Sequence, residues 1–138
     1  MIERTHRPES CFLRLVFDYL NKAGVRYAVM RNYDALPENV GGGDLDLLIH
    51  HDEISEALKQ LYQAIKDAGG AAIGVTRSPG FRQILAFGKE SAAESEWWGL
   101  CLDIFDEVLY FGMVPLISNT IWIDGCERMR DISVLKPE

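Results

Sequence analysis

The residues best placed to do chemistry lie in Gly41-Gly42-Gly43-Asp44-Leu45-Asp46-Leu47-Leu48-Ile49. Two acids stand in the first half of a segment that is otherwise leucine and isoleucine, and a buried carboxylate is costly unless it is paired or bound to a metal. Read as a strand, the segment puts Asp44 and Asp46 on one face, about 7 Å apart at Cα. Carboxylates that close repel, and a hard divalent cation relieves them. Oxygen-only ligation of this kind suits Mg²⁺ or Mn²⁺ carrying substrate phosphates. The glycines agree with this picture, because backbone without Cβ at Gly42 and Gly43 bends tightly and lets a phosphate approach its N–H groups.

A third acid fits the same chemistry. Asp103 is the one charged residue in Trp97-Trp98-Gly99-Leu100-Cys101-Leu102-Asp103-Ile104-Phe105. If that strand neighbours the D-x-D strand, Asp44, Asp46 and Asp103 become shared ligands of a two-metal site. Such a site clamps the attacking and leaving oxygens of an in-line phosphoryl or nucleotidyl displacement. Arg82, on a strand after Ser78-Pro79-Gly80, is a further phosphate-binding candidate provided its strand lies beside the acids. His50 shares the face of Asp44 and Asp46, but no further His or Cys completes a metal site, so it reads as a polar boundary residue. The Trp97-Trp98 pair reads as hydrophobic packing at the core or a partner interface.

The elements that must position these residues follow from periodicity. Phe12, Leu15, Val16, Tyr19, Leu20 and Ala23 recur at helical spacing, and Gly24 stops the helix. Val25 to Met30 is a strand, and Asn32 to Gly43 is a loop. Asp44 to His50 is the second strand. Asp52 then serves as N-cap of a helix with Ile54, Ala57, Leu58, Leu61, Tyr62, Ile65 and Ala68 on one face, ended by Gly69-Gly70. Strands are predicted at Ala71 to Thr76, Phe81 to Phe87 and Trp97 to Phe105, with a last short one at Ile132 to Leu135. This order implies an α+β fold, a mixed β-sheet with helices packed on it.

The whole chain has 138 residues, of which 48% are hydrophobic. That suffices for a core without disulfides and predicts a single domain over 1–138; the abrupt end at Pro137-Glu138 also fits the N-terminal part of a longer protein. The formal charge of −7 repels phosphate backbones and argues against nucleic acid as a partner. Cys11, Cys101 and Cys126 form no C-x-x-C pair, and no run approaches the roughly 18 to 20 apolar residues of a membrane span. A cytoplasmic location with no membrane partner is expected.

A helix, a strand ending in a turn, a spacer, then G-D-L-D-L-L-I and a later strand with one Asp resembles the polymerase-beta-type nucleotidyltransferase superfamily, in particular its small bacterial domains, over about Val25 to Asp106. The resemblance implies Mg²⁺ or Mn²⁺ held by Asp44, Asp46 and Asp103, with Asp103 also the base for an incoming hydroxyl. Members of that superfamily place Gly-Gly or Gly-Ser after the first strand to hold a triphosphate; here Met30-Arg31-Asn32-Tyr33 stands there, with Asn32 twelve positions before Asp44. Arg31 and Asn32 then replace backbone contacts with a charge and a side-chain hydrogen bond. R-N-Y turns are similar to a branch associated with bacterial surface-polysaccharide and sugar metabolism.

The expected reaction is transfer of a nucleoside monophosphate from an NTP to a hydroxyl or phosphate of a small-molecule or sugar acceptor. A helical partner domain would complete the acceptor side. The alternatives are a catalytically inactive binding or regulatory module of the same fold, and a phosphohydrolase using the same carboxylates.

Overall fold

A computed structural model describes residues 8–40, 44–78, 80–89, 97–106, 121–122 and 124–136. Helix α1 spans Pro8–Lys22 and buries Phe12, Leu13, Val16, Phe17 and Leu20; of the predicted stripe Phe12, Val16 and Leu20 are buried and Leu15, Tyr19 and Ala23 only partly, because the buried face is turned toward Leu13 and Phe17. It ends at Gly24, whose φ of +70° is left-handed. There the Gly24 N–H donates to Asn21 and the Val25 N–H to Leu20, a Schellman arrangement that satisfies two terminal carbonyls. Val25 is thus part of the helix stop, and the first strand, β1, is only Tyr27–Val29.

Strand β2, Leu45–Ile49, is buried throughout. Asp52 is not the cap of the next helix. A 3₁₀ turn, His51–Glu53, comes first, and the buried His50 caps it by accepting the Asp52 N–H at Nδ1. Helix α2, Ile54–Asp67, follows and buries Ala57, Leu61, Ala64 and Ile65. Glu53, at its N-cap position, spends its carboxylate on the Arg26 backbone N–H and guanidinium.

The remaining strands are β3 (Gly70–Ser78), β4 (Phe81–Lys89), β5 (Trp97–Asp106), β6 (Cys126–Met129) and β7 (Ile132–Leu135). They join β1 and β2 in one mixed seven-stranded sheet of order β3-β4-β5-β2-β1-β7-β6. Strands β2 and β5 are parallel neighbours, as are β1 and β7; the other pairings are antiparallel. The α+β architecture therefore stands as the sequence implies.

Alternation sorts the sheet into two faces. Leu45, Leu47 and Ile49 of β2, Ile84 and Ala86 of β4, and Trp98, Leu100, Leu102 and Ile104 of β5 join α1 and α2 in the core. Phe12 of α1 stacks on Trp98 with ring centroids 4.6 Å apart. The indole also rests against Gly70 and Gly88, where an added Cβ would come within 2.7 Å of it. Trp97, one residue earlier, is 70% exposed with Lys89 over its ring, so the Trp pair divides between core and surface. Asp44, Asp46, Cys101 and Asp103 occupy the face opposite to the helices. Among the described residues, no helix is long and apolar enough to cross a membrane.

Candidate metal centre

Strand pairing brings the sequence's three acids together. Asp46 and Asp103 are register partners on β2 and β5, and Leu45↔Leu102 and Leu47↔Ile104 on either side point into the core. In adjacent parallel strands such partners project to the same face. Asp46 is 4% exposed and Asp103 9%, whereas Asp44, one pleat repeat before Asp46, is exposed at the rim. The Asp44 carboxyl is pushed above its ordinary range, first by partial desolvation, then by the charge of Asp103, a hydrogen bond with it and the charge of Asp46; Arg31 works in the other direction.

Arg31 reaches this centre because the chain stays zipped to β2 for one residue beyond β1. The Met30 N–H donates to the Asp46 carbonyl at 3.0 Å, and Asn32, at φ +60°, then turns the chain away in a conformation that Asn tolerates better than most residues. Arg31 Nε thereby sits 2.5 Å from Asp46 Oδ2. The guanidinium is largely solvent-exposed while the carboxylate is not. Among the described residues, no donor reaches the buried Asp46 Oδ1. A buried carboxylate oxygen without a donor is a strong acceptor left open for a cation.

Two residues that sequence reasoning did not single out complete the surroundings of Asp103. Gln83 of β4, its register partner on the other side, donates from Nε2 to Asp103 Oδ1 at 3.0 Å and accepts from Arg77 Nε at 2.6 Å. The Cys101 thiol donates to the same Oδ1 at 3.4 Å. Its pKa is pushed up to about 12, first by burial, then by that hydrogen bond and by the charges of Asp103, Asp44 and Asp46. Two-residue alternation alone places Cys101 beside Asp103. No local pattern marks Gln83, because its role depends on which strand lies next to β5.

The other candidates fall elsewhere. Arg82 is in phase with Ile84 and Ala86, so it leaves β4 on the helix face, beside His51, Ile54 and Ile104, and is not brought to the acids. Gly42 and Gly43 lie outside the described residues. Asn32 is at the Arg31 turn and is exposed. His50 stacks on His51 at 4.5 Å and belongs to the 3₁₀ turn. A cavity of about 570 Å³ opens between α1 and the β6–β7 turn, lined by Arg14, Asp18, Asn21, Arg128 and Arg130, and none of the acids of the centre faces it.

No protein-family model and no curated protein matches the chain. Among solved structures it is similar to an antigenic nucleotidyltransferase-like protein from Paracoccidioides brasiliensis, at 16% identity and a TM-score of 0.49. The match covers 92% of this chain and 61% of that one. The chain thus spans less than two thirds of the length of the structure it matches.

Proposed function

We propose that the protein is a metal-dependent nucleotidyltransferase, moving a nucleoside monophosphate from an NTP to a hydroxyl or phosphate of a small-molecule or sugar acceptor. The observation that carries this reading is the register pairing of Asp46 with Asp103 on parallel strands, with Asp44 on the same face. The residues present fit a divalent cation: Asp44 and Asp103 bring carboxylate oxygens within 4.8 Å of each other, and among the described residues no donor reaches the buried Asp46 Oδ1. Asp44, Asp46 and Asp103 would hold Mg²⁺ or Mn²⁺, which when bound neutralises the triphosphate and the charge that develops on the leaving pyrophosphate.

The chain's own groups divide the remaining work. The acceptor oxygen forms a bond to the α-phosphorus, the bond from that phosphorus to the bridging oxygen of pyrophosphate breaks, and the hydroxyl proton passes to an Asp103 carboxylate oxygen. Gln83, held in turn by Arg77, fixes the orientation of that carboxylate. Arg31, anchored at the end of β1 and 67% exposed at its side chain, is long enough to leave Asp46 for a phosphate oxygen.

One observation favours the second reading, a binding module without turnover: the Arg31 guanidinium already rests on a carboxylate that a metal would need. Thermal unfolding of wild type and Asp46→Asn with NTPs and nucleotide sugars, each with and without Mn²⁺, tests both. A ligand at about a hundred times its Kd stabilises the fold by roughly 2.7 kcal/mol, a shift of several degrees. The expected outcome is a Mn²⁺-dependent shift confined to wild type, with pyrophosphate released when acceptors are supplied. A shift without pyrophosphate supports the binding module. No shift with any ligand overturns both.

A further inference from the structure

We propose that the protein self-associates through the free edge of β3, which pairs antiparallel with β3 of a second copy about a twofold axis at Gly74. The inference rests on the sheet and not on the cation site.

The sheet has two edge strands, β3 and β6, and they differ in kind. Strand β6 is four residues long with Glu127 and Arg128 at its centre, and short, charged edge strands discourage further pairing. Strand β3 runs for nine residues, about 30 Å, and among the described residues β4 is its only strand partner. Gly70 to Thr76 contains no charge and no proline, and every residue from Ile73 to Ser78 is exposed. Its one irregularity in pairing with β4, between Thr76 and Ser78, comes only at the end of the strand. A long, regular, uncharged edge of this kind is a template for another strand.

The strand that fits it is the same strand. With Gly74 opposite Gly74, antiparallel pairing sets Ile73 against Val75 of the second copy, twice, and Ala72 against Thr76. Ile73 is 56% exposed and Val75 38%, and Leu85, beside Ile73 on β4, is 48% exposed on the same face. Pairing flanks each Ile73 by Leu85 of its own chain and Val75 of the other, which closes an apolar cluster that a single chain leaves in water. Charge selects the same place. Chains of net charge −7 repel one another, and along Gly70 to Thr76 two of them meet with no acid opposed to an acid. One twofold operation satisfies both β3 edges and leaves only the β6 edges outside, so the assembly closes as a dimer. Two nine-residue edges with their neighbouring side chains bury on the order of 1,000 Å², the lower end for a specific interface, and a micromolar Kd is expected.

Sedimentation velocity of wild type from about 1 to 300 µM, a range that brackets such a Kd, tests this. The expected result is monomer at the low end, dimer at the high end and no larger species. Backbone amides of β3 should exchange with deuterium more slowly at the high concentration, and those of β6 should not change. Ile73→Lys and Val75→Lys alter positions that are already exposed in the single chain, so the thermal midpoint of the dilute protein should stay near that of wild type. Each should weaken dimerisation about tenfold or more, since every substitution is present twice at the interface. A monomer at every concentration overturns the proposal, and so does a dimer that both variants retain. Growth beyond the dimer would overturn the closed twofold arrangement.

Discussion

Asp46 on β2 lies directly across from Asp103 on β5, in register between parallel strands, and both carboxylates are buried on the face that α1 and α2 leave free. Neither α-helix supplies a charge to this pair; Asp46 is paired with Arg31, and Asp103 with Gln83, Cys101 and Asp44. Asp103→Asn should therefore leave the fold intact, because an amide keeps the shape and eases repulsion in the cluster. Mn²⁺ binding by electron paramagnetic resonance should be lost in the same variant. Undiminished Mn²⁺ affinity would show that Asp103 is not a ligand.

Asp44 provides a pH test. Its folded pKa lies above the ordinary 3.8, so the folded chain holds this proton more tightly than the unfolded chain does. The favourable contribution is fully present below the unfolded pKa and is lost as pH rises through the raised folded value. Wild type should thus lose some stability across the weakly acidic range, and Asp44→Asn should flatten that part of the profile. Urea unfolding at a series of pH values measures it. A steeper profile in the variant would contradict the assignment of the repulsion to Asp44.

The Arg31–Asp46 pair is asymmetric, with an exposed guanidinium and a buried carboxylate. Arg31→Met should cost about 1–3 kcal/mol, nearer the lower end, because what it exposes is an unpaired buried acceptor and not a desolvated guanidinium. Mn²⁺ should stabilise this variant more than it stabilises wild type, since guanidinium and cation compete for one carboxylate. Equal stabilisation by Mn²⁺ would mean that they do not compete.

The glycines under Trp98 make a packing prediction that is separate from the site. Gly88→Ala places a Cβ within about 2.8 Å of three indole atoms of a ring that is buried and stacked on Phe12. Nothing there can yield cheaply, and a loss of about 1–3 kcal/mol is expected. Gly74→Ala meets only the hydroxyl of Tyr62, a side chain exposed enough to swing aside, and should cost much less. The two urea midpoints decide it; a larger loss at Gly74 would mean that Tyr62 is not free to move.

What could be read from the sequence was what is local. The D-L-D-L-L-I alternation marks β2 and its acids, the apolar stripe and Gly24 mark α1, and Ile132 to Leu135 coincides with β7. Partnerships between distant strands were not legible. That β5 is the parallel neighbour of β2, at the register that joins Asp46 to Asp103, follows from sheet order and not from either segment alone. In β4 both faces carry apolar residues, Ile84 and Ala86 on one and Leu85 and Phe87 on the other, so its phase is ambiguous. One residue of phase sends Arg82 to the helices and Gln83 to Asp103. Strand β6, Cys126–Met129, is at the sheet edge and only four residues long, with two adjacent charged residues between Cys126 and Met129, and without an alternating pattern it leaves no strand signal.

Arg130 connects that edge of the sheet to the site. At φ +51°, in the turn between β6 and β7, it donates from Nε to the Leu36 carbonyl and from a terminal nitrogen to the carbonyls of Tyr33 and Asp34. Tyr33 adds a hydrogen bond from its hydroxyl to the Leu135 carbonyl. The loop that begins with Arg31 and Asn32 is therefore held by the β6–β7 hairpin at several points. Arg130→Met removes three charge-assisted bonds to carbonyls, and a stability loss of about 1–3 kcal/mol is expected. Because the clasp acts on the loop and not on the acids, Mn²⁺ affinity should persist while Mn²⁺-dependent nucleotide binding weakens. Isothermal titration with Mn²⁺ alone and with Mn²⁺ and NTP separates the two, and parallel losses in both would mean that Arg130 supports the whole sheet and not the Arg31 loop in particular.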